Sequence, residues 1–192
     1  MTTPAYPADV LARAAKIRLI GFDVDGTLTD GRLHYGTGEQ DGKTFHVQDG
    51  MGLTLLRHAG IQTALVTARH SPVVAARGTE LKIAHLHIGE RSKLTCMQRI
   101  ADGMGIGMEQ VAFMGDDLPD LAALRGVGLA IAPANAHHWV LPAVHWVTPR
   151  GGGFGAARDA CDLLLQAQRH VAGILSHGEP PSARAPPPPP SC

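Results

Sequence analysis

Two acidic residues end an apolar run near the start of the chain. Residues 19–29 read Leu-Ile-Gly-Phe-Asp-Val-Asp-Gly-Thr-Leu-Thr, which places Asp23 and Asp25 one residue apart, before a Gly-Thr turn. Side chains alternate along a strand, so the two carboxylates emerge near one point with different orientations and can take different roles. Carboxylates bind metal ions, attack as nucleophiles and transfer protons. We therefore expect a functional site at Asp23 and Asp25.

Polar residues also stand at or near the ends of later apolar runs. Thr67 closes the run 63–67, and Asp116 follows the run that begins at Val111. Lys93 lies near a predicted helix start, where the helix dipole disfavours a cation, so its position indicates a functional role. Each of these residues is weak evidence alone, but together and in this order they form a specific pattern.

Two further acids follow Asp116 in the sequence Gly-Asp-Asp-Leu-Pro-Asp. They are Asp117 and Asp120, and we rank Asp120 below Asp116 as a metal ligand. Either of the two can instead cap a helix that begins near Leu118.

Apolar runs alternate with amphipathic segments along most of the chain. Strands are predicted near 17–23, 61–67, 83–88, 111–115, 127–131 and 144–147. Helices are predicted at 8–15, 51–59, 71–81, 91–104, 117–125 and 155–170. This alternation predicts an α/β fold: a doubly wound, Rossmann-like, mainly parallel sheet with helices on both faces. Such sheets bind ligands beyond the carboxyl ends of their strands, where the polar residues lie.

One segment, residues 31–47, breaks this alternation with two strand-like stretches around a turn-rich centre, which predicts a projecting β-hairpin. Only 41 residues separate Asp25 from Thr67, and 25 separate Thr67 from Lys93. These intervals are filled by the predicted elements and leave no room for an additional domain over the site. The hairpin would stand in place of such a domain and contact neighbouring subunits.

Composition restricts the class of protein. The 192 residues include 17 Lys and Arg against 17 Asp and Glu, which gives no electrostatic case for binding nucleic acid or a membrane. The start of the chain lacks the pattern of a signal peptide, and the three cysteines form no metal-type spacing, so we expect a cytoplasmic protein. Residues 1–175 are assigned to one domain, and residues 176–192 to a Pro-rich disordered tail.

The ordered motifs resemble those of the haloacid dehalogenase-like superfamily, whose members are mostly phosphatases. The resemblance implies that Asp23 is a nucleophile that forms an aspartyl-phosphate, and that Asp25 is the general acid and base. Thr67 and Lys93 would hold the phosphoryl oxygens. Mg²⁺ would be bound by Asp23, the backbone carbonyl of Asp25, and Asp116.

A narrower resemblance, over roughly residues 15–168, is to the 3-deoxy-D-manno-octulosonate 8-phosphate phosphatases. It is carried by the stretches 23–31, 45–52, 66–69, 114–121 and 161–168. It implies a homotetramer that acts on a sugar acid phosphate in lipopolysaccharide precursor synthesis. The implied substrate-binding residues are Asp25, His46, Val47, Gln48, Asp49, Gly50, Arg69, Arg77 and Lys93.

The chain departs from the family pattern at two positions. Ala68 stands where members usually have glycine, and Phe154 stands where they typically carry an arginine. The second change bears on the substrate more than on phosphoryl chemistry. Two alternatives therefore stay open: a phosphatase of another sugar acid phosphate or of sugar phosphates broadly, and a non-catalytic oligomerising module. The intact set of acidic residues, threonine and lysine argues against the module.

Overall fold

One parallel sheet forms the centre of the molecule. The structure, a computed structural model, describes residues 5–34 and 42–177. Within them the strands are β1 (Leu19–Phe22), β2 (Gln62–Thr67), β3 (His85–Ile88), β4 (Val111–Met114), β5 (Leu129–Ala132) and β6 (Trp146–Val147). Their spatial order is β3-β2-β1-β4-β5-β6, and every pair is parallel. The predicted doubly wound α/β fold is confirmed.

Helices cover both faces of this sheet. They are α1 (Ala8–Ala14), α2 (Val47–His58), α3 (Pro72–Glu80), α4 (Lys93–Met104), α5 (Leu121–Gly126), α6 (Ala156–Ala167) and α7 (Val171–His177). Short 3₁₀ turns lie at Met108–Gln110, Leu118–Asp120 and Leu141–Ala143. No helix within residues 5–34 and 42–177 is long and apolar enough to cross a membrane.

Strand β1 divides its side chains between two hydrophobic cores. Ile20 and Phe22 are buried in the core that contains residues of α1, α2 and α6, whereas Leu19 belongs to the core with α4 and α5. A Cβ on Gly21 would lie 2.6 Å from Met97 Sδ, so glycine lets α4 approach the strand closely. Successive side chains of β1 point to opposite faces of the sheet, and both faces are buried. The acids that follow β1 therefore stand at the end of a fully buried strand.

Helix α2 begins at Val47, four residues before the predicted start. Gly50 and Gly52 have low helix propensity, but here they allow close packing. A Cβ on Gly52 would lie 3.0 Å from Cys161 Sγ on α6, and a Cβ on Gly50 would lie 2.4 Å from Arg77 Nη2 on α3. Tertiary contacts therefore override the low helix propensity of glycine.

The predicted hairpin over 31–47 differs from the structure in its described parts. Its central residues, 35–41, lie outside the described residues, and the flanks 31–34 and 42–46 contain no strand. Asp30 Oδ1 accepts a hydrogen bond from the backbone N–H of Arg32 at 3.0 Å, which forms a local turn in place of a ladder. On the other flank, the side chain of Lys43 reaches toward the end of β1.

Two differences concern later elements. Helix α5 begins at Leu121 rather than at 117, because Asp117 caps the 3₁₀ turn that precedes it. Helix α7 was not predicted; its residues Val171 and Ile174 pack against the core beside α6. Of the predicted tail 176–192, the first two residues end α7 and the rest lie outside the described residues.

Candidate active site

The carboxyl ends of three neighbouring strands converge on one cavity. In the sheet, Phe22 of β1 pairs with Leu65 of β2 and with Met114 of β4. The residues that end or follow these strands, Asp23, Thr67 and Asp116, therefore meet beyond the same edge, where the strand order reverses. They line a cavity of about 350 Å³ together with Asp25, Arg69 and Lys93, among others. The structure thus brings all four predicted catalytic residues together.

The turn after β1 holds Asp116 in place. The backbone N–H groups of residues 27–29 donate to the carbonyl of Val24 at 2.9–3.3 Å, which closes the turn. Gly26 has φ +92°, and a Cβ there would lie 2.1 Å from Asp116 Oδ2. Thr27 Oγ1 donates a hydrogen bond to Asp116 Oδ1 at 3.2 Å. A glycine is therefore required for the close approach of these two loops.

Lys93 forms ion pairs with both Asp23, the predicted nucleophile, and Asp120. Its Nζ lies 2.7 Å from Asp23 Oδ1 and 2.5 Å from Asp120 Oδ1, and all three side chains are buried. The other oxygen of Asp120 accepts hydrogen bonds from the backbone N–H groups of Asp116 at 3.0 Å and Asp117 at 3.2 Å. Both Asp120 oxygens are thus engaged within the protein, so this residue anchors Lys93 and the loop after β4.

Asp117 has a different local role. Its Oδ1 accepts a hydrogen bond from the backbone N–H of Leu118 at 2.7 Å and caps the 3₁₀ turn. Asp117 thus caps this 3₁₀ turn, and Asp120 completes a capping box by accepting a hydrogen bond from the backbone N–H of Asp117.

The cavity concentrates negative charge. Burial, reinforced by the nearby Asp120 carboxylate, raises the pKa of Asp23 to about 7, although Lys93 acts in the opposite direction. Burial and Asp120 likewise raise the pKa of Asp116 to about 6. Burial opposes the charged form of Lys93, but Asp23 and Asp120 together raise its pKa. The carboxylates of Asp23, Asp116 and Asp120 outnumber the one ammonium of Lys93. A net negative charge therefore remains, which favours the binding of a further cation.

The acidic residues fit a divalent cation. One carboxylate oxygen from each of Asp23, Asp116 and Asp120 lies within 4.8 Å of the others. Mg²⁺ prefers oxygen ligands and is usually held by one or two carboxylates in proteins. Because both Asp120 oxygens are already engaged by Lys93 and by backbone N–H groups, Asp23 and Asp116 are the better candidates for ligands. The carbonyl of Asp25 stays a predicted ligand.

Asp25 has a partner that sequence reasoning missed. Its Oδ1 accepts a hydrogen bond from Lys43 Nζ, and the Lys43 side chain is only 3% exposed. A single lysine in a turn-rich segment carries no sequence signal of its own. Only the path of residues 42–46 across the end of β1 brings this ammonium to the site.

Thr67 and Arg69 line the same cavity. The backbone N–H of Arg69 donates to Thr67 Oγ1 at 3.2 Å, which fixes the threonine side chain at the end of β2. Arg69 thus lies at the site as predicted for a substrate-binding residue.

The other predicted substrate-binding residues lie elsewhere in this chain. None of residues 46–50, and not Arg77, lines the acidic cavity. Arg77 Nη1 pairs with Glu80 at 2.9 Å, and its guanidinium lies 5.7 Å from the centroid of the Phe45 ring. Val47 is 82% exposed, so this part of α2 and α3 forms an open surface.

Gln48 and Asp49 face a different part of the molecule. Gln48 Oε1 accepts a hydrogen bond from Arg150 Nη1 at 2.8 Å. Asp49 Oδ1 accepts one from the backbone N–H of Arg158 at 2.7 Å, and burial raises the pKa of Asp49. In the described chain these two residues fasten α2 to α6 and to the loop before it.

Phe154 lies on a glycine-rich loop that packs against the turn after β1. The backbone N–H of Gly153 donates to the carbonyl of Thr27 at 3.2 Å, and a Cβ on Gly152 would lie 1.7 Å from the Gly26 carbonyl oxygen. The Phe154 side chain is 60% exposed. The position where relatives were expected to carry arginine thus presents an apolar ring to solvent.

Comparison with known proteins agrees with this geometry. Residues 71–151 match the model of a haloacid dehalogenase-like hydrolase family. The 3-deoxy-D-manno-octulosonate 8-phosphate phosphatase KdsC of Escherichia coli K12 is 41% identical over 161 residues, which cover 84% of this chain and 86% of that protein.

Two solved structures superimpose closely. A hypothetical protein from Xanthomonas campestris has a TM-score of 0.86 at 50% identity, covering 88% of this chain and 93% of its own. The 3-deoxy-D-manno-octulosonate 8-phosphate phosphatase from Moraxella catarrhalis, solved with magnesium, phosphate and KDO, has a TM-score of 0.88 at 36% identity. That match covers 91% of this chain and 100% of the Moraxella chain.

Proposed function

The chain belongs to the haloacid dehalogenase-like family of 3-deoxy-D-manno-octulosonate 8-phosphate phosphatases, and we propose that it hydrolyses this phosphate monoester with Mg²⁺ as cofactor. The products are the free sugar acid and inorganic phosphate, so the chain is a phosphoric monoester hydrolase. The observation that carries the proposal is the meeting of Asp23, Asp25, Thr67, Lys93 and Asp116 in one cavity.

The first half of the reaction transfers the phosphoryl group to the protein. Thr67 and Lys93 bind the phosphoryl oxygens and orient phosphorus toward Asp23. An Asp23 oxygen forms a bond to phosphorus as the bond to the sugar oxygen breaks, and Asp25 donates a proton to the departing oxygen. Asp23, Asp116 and the carbonyl of Asp25 would hold Mg²⁺, which when bound neutralises phosphoryl charge.

The second half regenerates the carboxylate. Asp25, now deprotonated, accepts a proton from a water molecule that attacks phosphorus of the aspartyl-phosphate. The bond between phosphorus and Asp23 breaks, and phosphate leaves. Asp25 pairs with Lys43 whereas Asp23 pairs with Lys93, which suits this separate role.

The part of the pocket that binds the sugar acid is completed by a neighbouring subunit in this proposal. The cavity is open, and the segment 46–50 and Arg77 lie outside it in the same chain. A homotetramer would bring these residues of one protomer to the site of another, where Arg77 can pair with the substrate carboxylate.

We also propose that this step takes place in the cytoplasm, as part of lipopolysaccharide precursor synthesis. One support is the sequence similarity to KdsC. The other is that Cys96 and Cys161 are free and buried, which suits a reducing compartment.

A panel of phosphate esters tests the function. Purified protein with Mg²⁺ should release phosphate fastest from 3-deoxy-D-manno-octulosonate 8-phosphate, and Asp23→Asn should abolish release. Asp9→Asn, on the exposed face of α1, is the matched control that keeps full activity. Equal rates on small sugar phosphates would point to a broad phosphatase. No release from any ester would favour the non-catalytic module.

A further inference from the structure

We propose that Lys43 is a positioning residue that fixes the carboxylate of Asp25 for proton transfer. Lys43 Nζ donates a hydrogen bond to Asp25 Oδ1 and forms an ion pair with it. The inference rests on the proposed phosphatase function, because Asp25 is the acid and base of that reaction.

The first support is that no other side chain or backbone group among the described residues pairs with this carboxylate. Among the hydrogen bonds and ion pairs of residues 5–34 and 42–177, Lys43 is the one partner of the Asp25 side chain. Asp23 and Asp116, in contrast, each have a partner of their own in Lys93 and Thr27. Without Lys43 the Asp25 side chain would be free to rotate within the cavity.

The second support is the burial of the lysine. The side chain of Lys43 is 3% exposed, whereas that of Asp25 is 20% exposed and faces the cavity. A buried ammonium is costly unless it is paired, so the pair resists separation. The more exposed partner is the one that must reach the substrate. The contact therefore holds Asp25 from behind without covering it.

The third support is chemical. A carboxylate has two oxygens, and Lys43 engages Oδ1. Asp25 Oδ2 is then the oxygen that donates a proton to the departing sugar oxygen and later accepts one from water. Because proton transfer needs heavy atoms within hydrogen-bond distance, fixing the carboxylate plane raises the fraction of productive encounters.

Position in the chain adds a consequence. Lys43 lies four residues before α2, which carries the predicted substrate segment 46–50. The stretch 43–50 thus contains both Lys43, which restrains Asp25, and the residues that are predicted to bind the sugar acid. A displacement of this stretch would change proton transfer as well as substrate binding.

The test compares two aryl phosphates that differ in leaving group. Phenyl phosphate needs protonation of its leaving oxygen, whereas p-nitrophenyl phosphate needs it far less. kcat/KM reports the steps through departure of the leaving group. Lys43→Met should lower kcat/KM for phenyl phosphate by about 100-fold and for p-nitrophenyl phosphate by less than about tenfold. Lys43→Arg, which keeps a cation, should recover part of the loss.

Controls separate this role from a structural one. Lys16→Met, an exposed lysine after α1, should change neither rate. Mg²⁺ affinity should be unchanged in Lys43→Met, since Asp23 and Asp116 are untouched. If Lys43→Met does not fold, Lys43→Gln, which has a shorter side chain and keeps a hydrogen-bond donor but not the charge, takes its place in the same comparison.

The outcomes distinguish the two proposals. An equal loss on both esters, or no loss on either, overturns the role of Lys43 while the wild-type phosphatase activity stands. A wild-type protein that cleaves neither these esters nor the sugar acid phosphate overturns the proposed function, and the Lys43 role with it.

Discussion

Lys93 Nζ lies 2.7 Å from Asp23 Oδ1, and both side chains are buried. The lysine is the first residue of α4, at the end of a helix where the dipole disfavours a cation. Its position is explained by the carboxylates of Asp23 and Asp120 on either side, which offset this unfavourable location. The same ammonium is then available to phosphoryl oxygens.

Removal of the Lys93 ammonium should reduce both activity and stability. Lys93→Met leaves buried carboxylates of Asp23 and Asp120 without a counter-charge, so we expect a loss of about 3 kcal/mol in the free energy of unfolding. Urea denaturation in the presence of a chelator measures this loss, and phosphate release should fall to background. Lys16→Met should change the free energy of unfolding by less than about 0.5 kcal/mol. A stable Lys93→Met protein would contradict the account of the ion pairs.

Asp116 and Asp120 should differ in metal binding. Asp116→Asn removes a carboxylate ligand and should weaken Mg²⁺ binding by at least about tenfold. Asp120→Asn should leave Mg²⁺ affinity closer to that of the wild type while kcat falls, because Asp120 holds Lys93 and the backbone at 116–117. Isothermal titration with Mg²⁺ separates the two. An equal loss of affinity in both variants would make Asp120 a ligand instead.

Mg²⁺ affinity should depend on pH. In the metal-free protein, the pKa of Asp23 is raised to about 7 and that of Asp116 to about 6, mainly by burial. A metal ion binds the deprotonated carboxylates, so protons compete with it below these values. The apparent affinity should rise as the pH increases from 5.5 to about 7.5 and then level off, with proton release on binding. Titrations at several pH values measure this, and a flat profile would refute it.

Gly26 should not tolerate a side chain. Gly26→Ala places a Cβ 2.1 Å from Asp116 Oδ2 at a backbone φ of +92°, so the turn after β1 or the Asp116 loop must shift. We expect a loss of at least about tenfold in kcat/KM for the sugar acid phosphate. Gly103→Ala, in α4 with nothing within 4 Å of the new Cβ, is the matched control and should be neutral or mildly stabilising. Equal effects of the two substitutions would count against the steric argument.

Shared active sites should be revealed by complementation. Asp23→Asn lacks the nucleophile, so its homo-oligomer should be inactive, and Arg77→Ala lacks the predicted sugar-acid contact, so its homo-oligomer should be weakly active. Mixed oligomers, formed by refolding the two variants together, contain sites with a native Asp23 from one chain and a native Arg77 from another. Phosphate release from the mixture should exceed the sum of the separate variants. No gain in oligomers shown by mass to be mixed would place Arg77 outside the site.

Several features follow from local sequence. Each apolar run that precedes Asp23, Thr67 and Asp116 is a buried strand, because a central parallel strand needs apolar residues on both faces. The alternation of strands and helices was sufficient to predict the doubly wound sheet. The first turn of α2 was not predicted. Gly50, just before the predicted start, has low helix propensity, and the close contacts of Gly50 with α3 and of Gly52 with α6 accompany the helix.

By itself, the sequence determined which residue types end the strands and in what order they occur, since periodicity and motif spacing are local properties of the chain. The roles of neighbouring acids were decided by tertiary structure. Asp117 caps a turn while Asp120 binds Lys93, although both follow Asp116 closely. Lys43 became visible only once the chain was folded across the end of β1. Strand pairing and burial create the contacts of Lys93 with Asp23 and Asp120 and of Lys43 with Asp25, which join residues distant in the chain, and no local pattern encodes them.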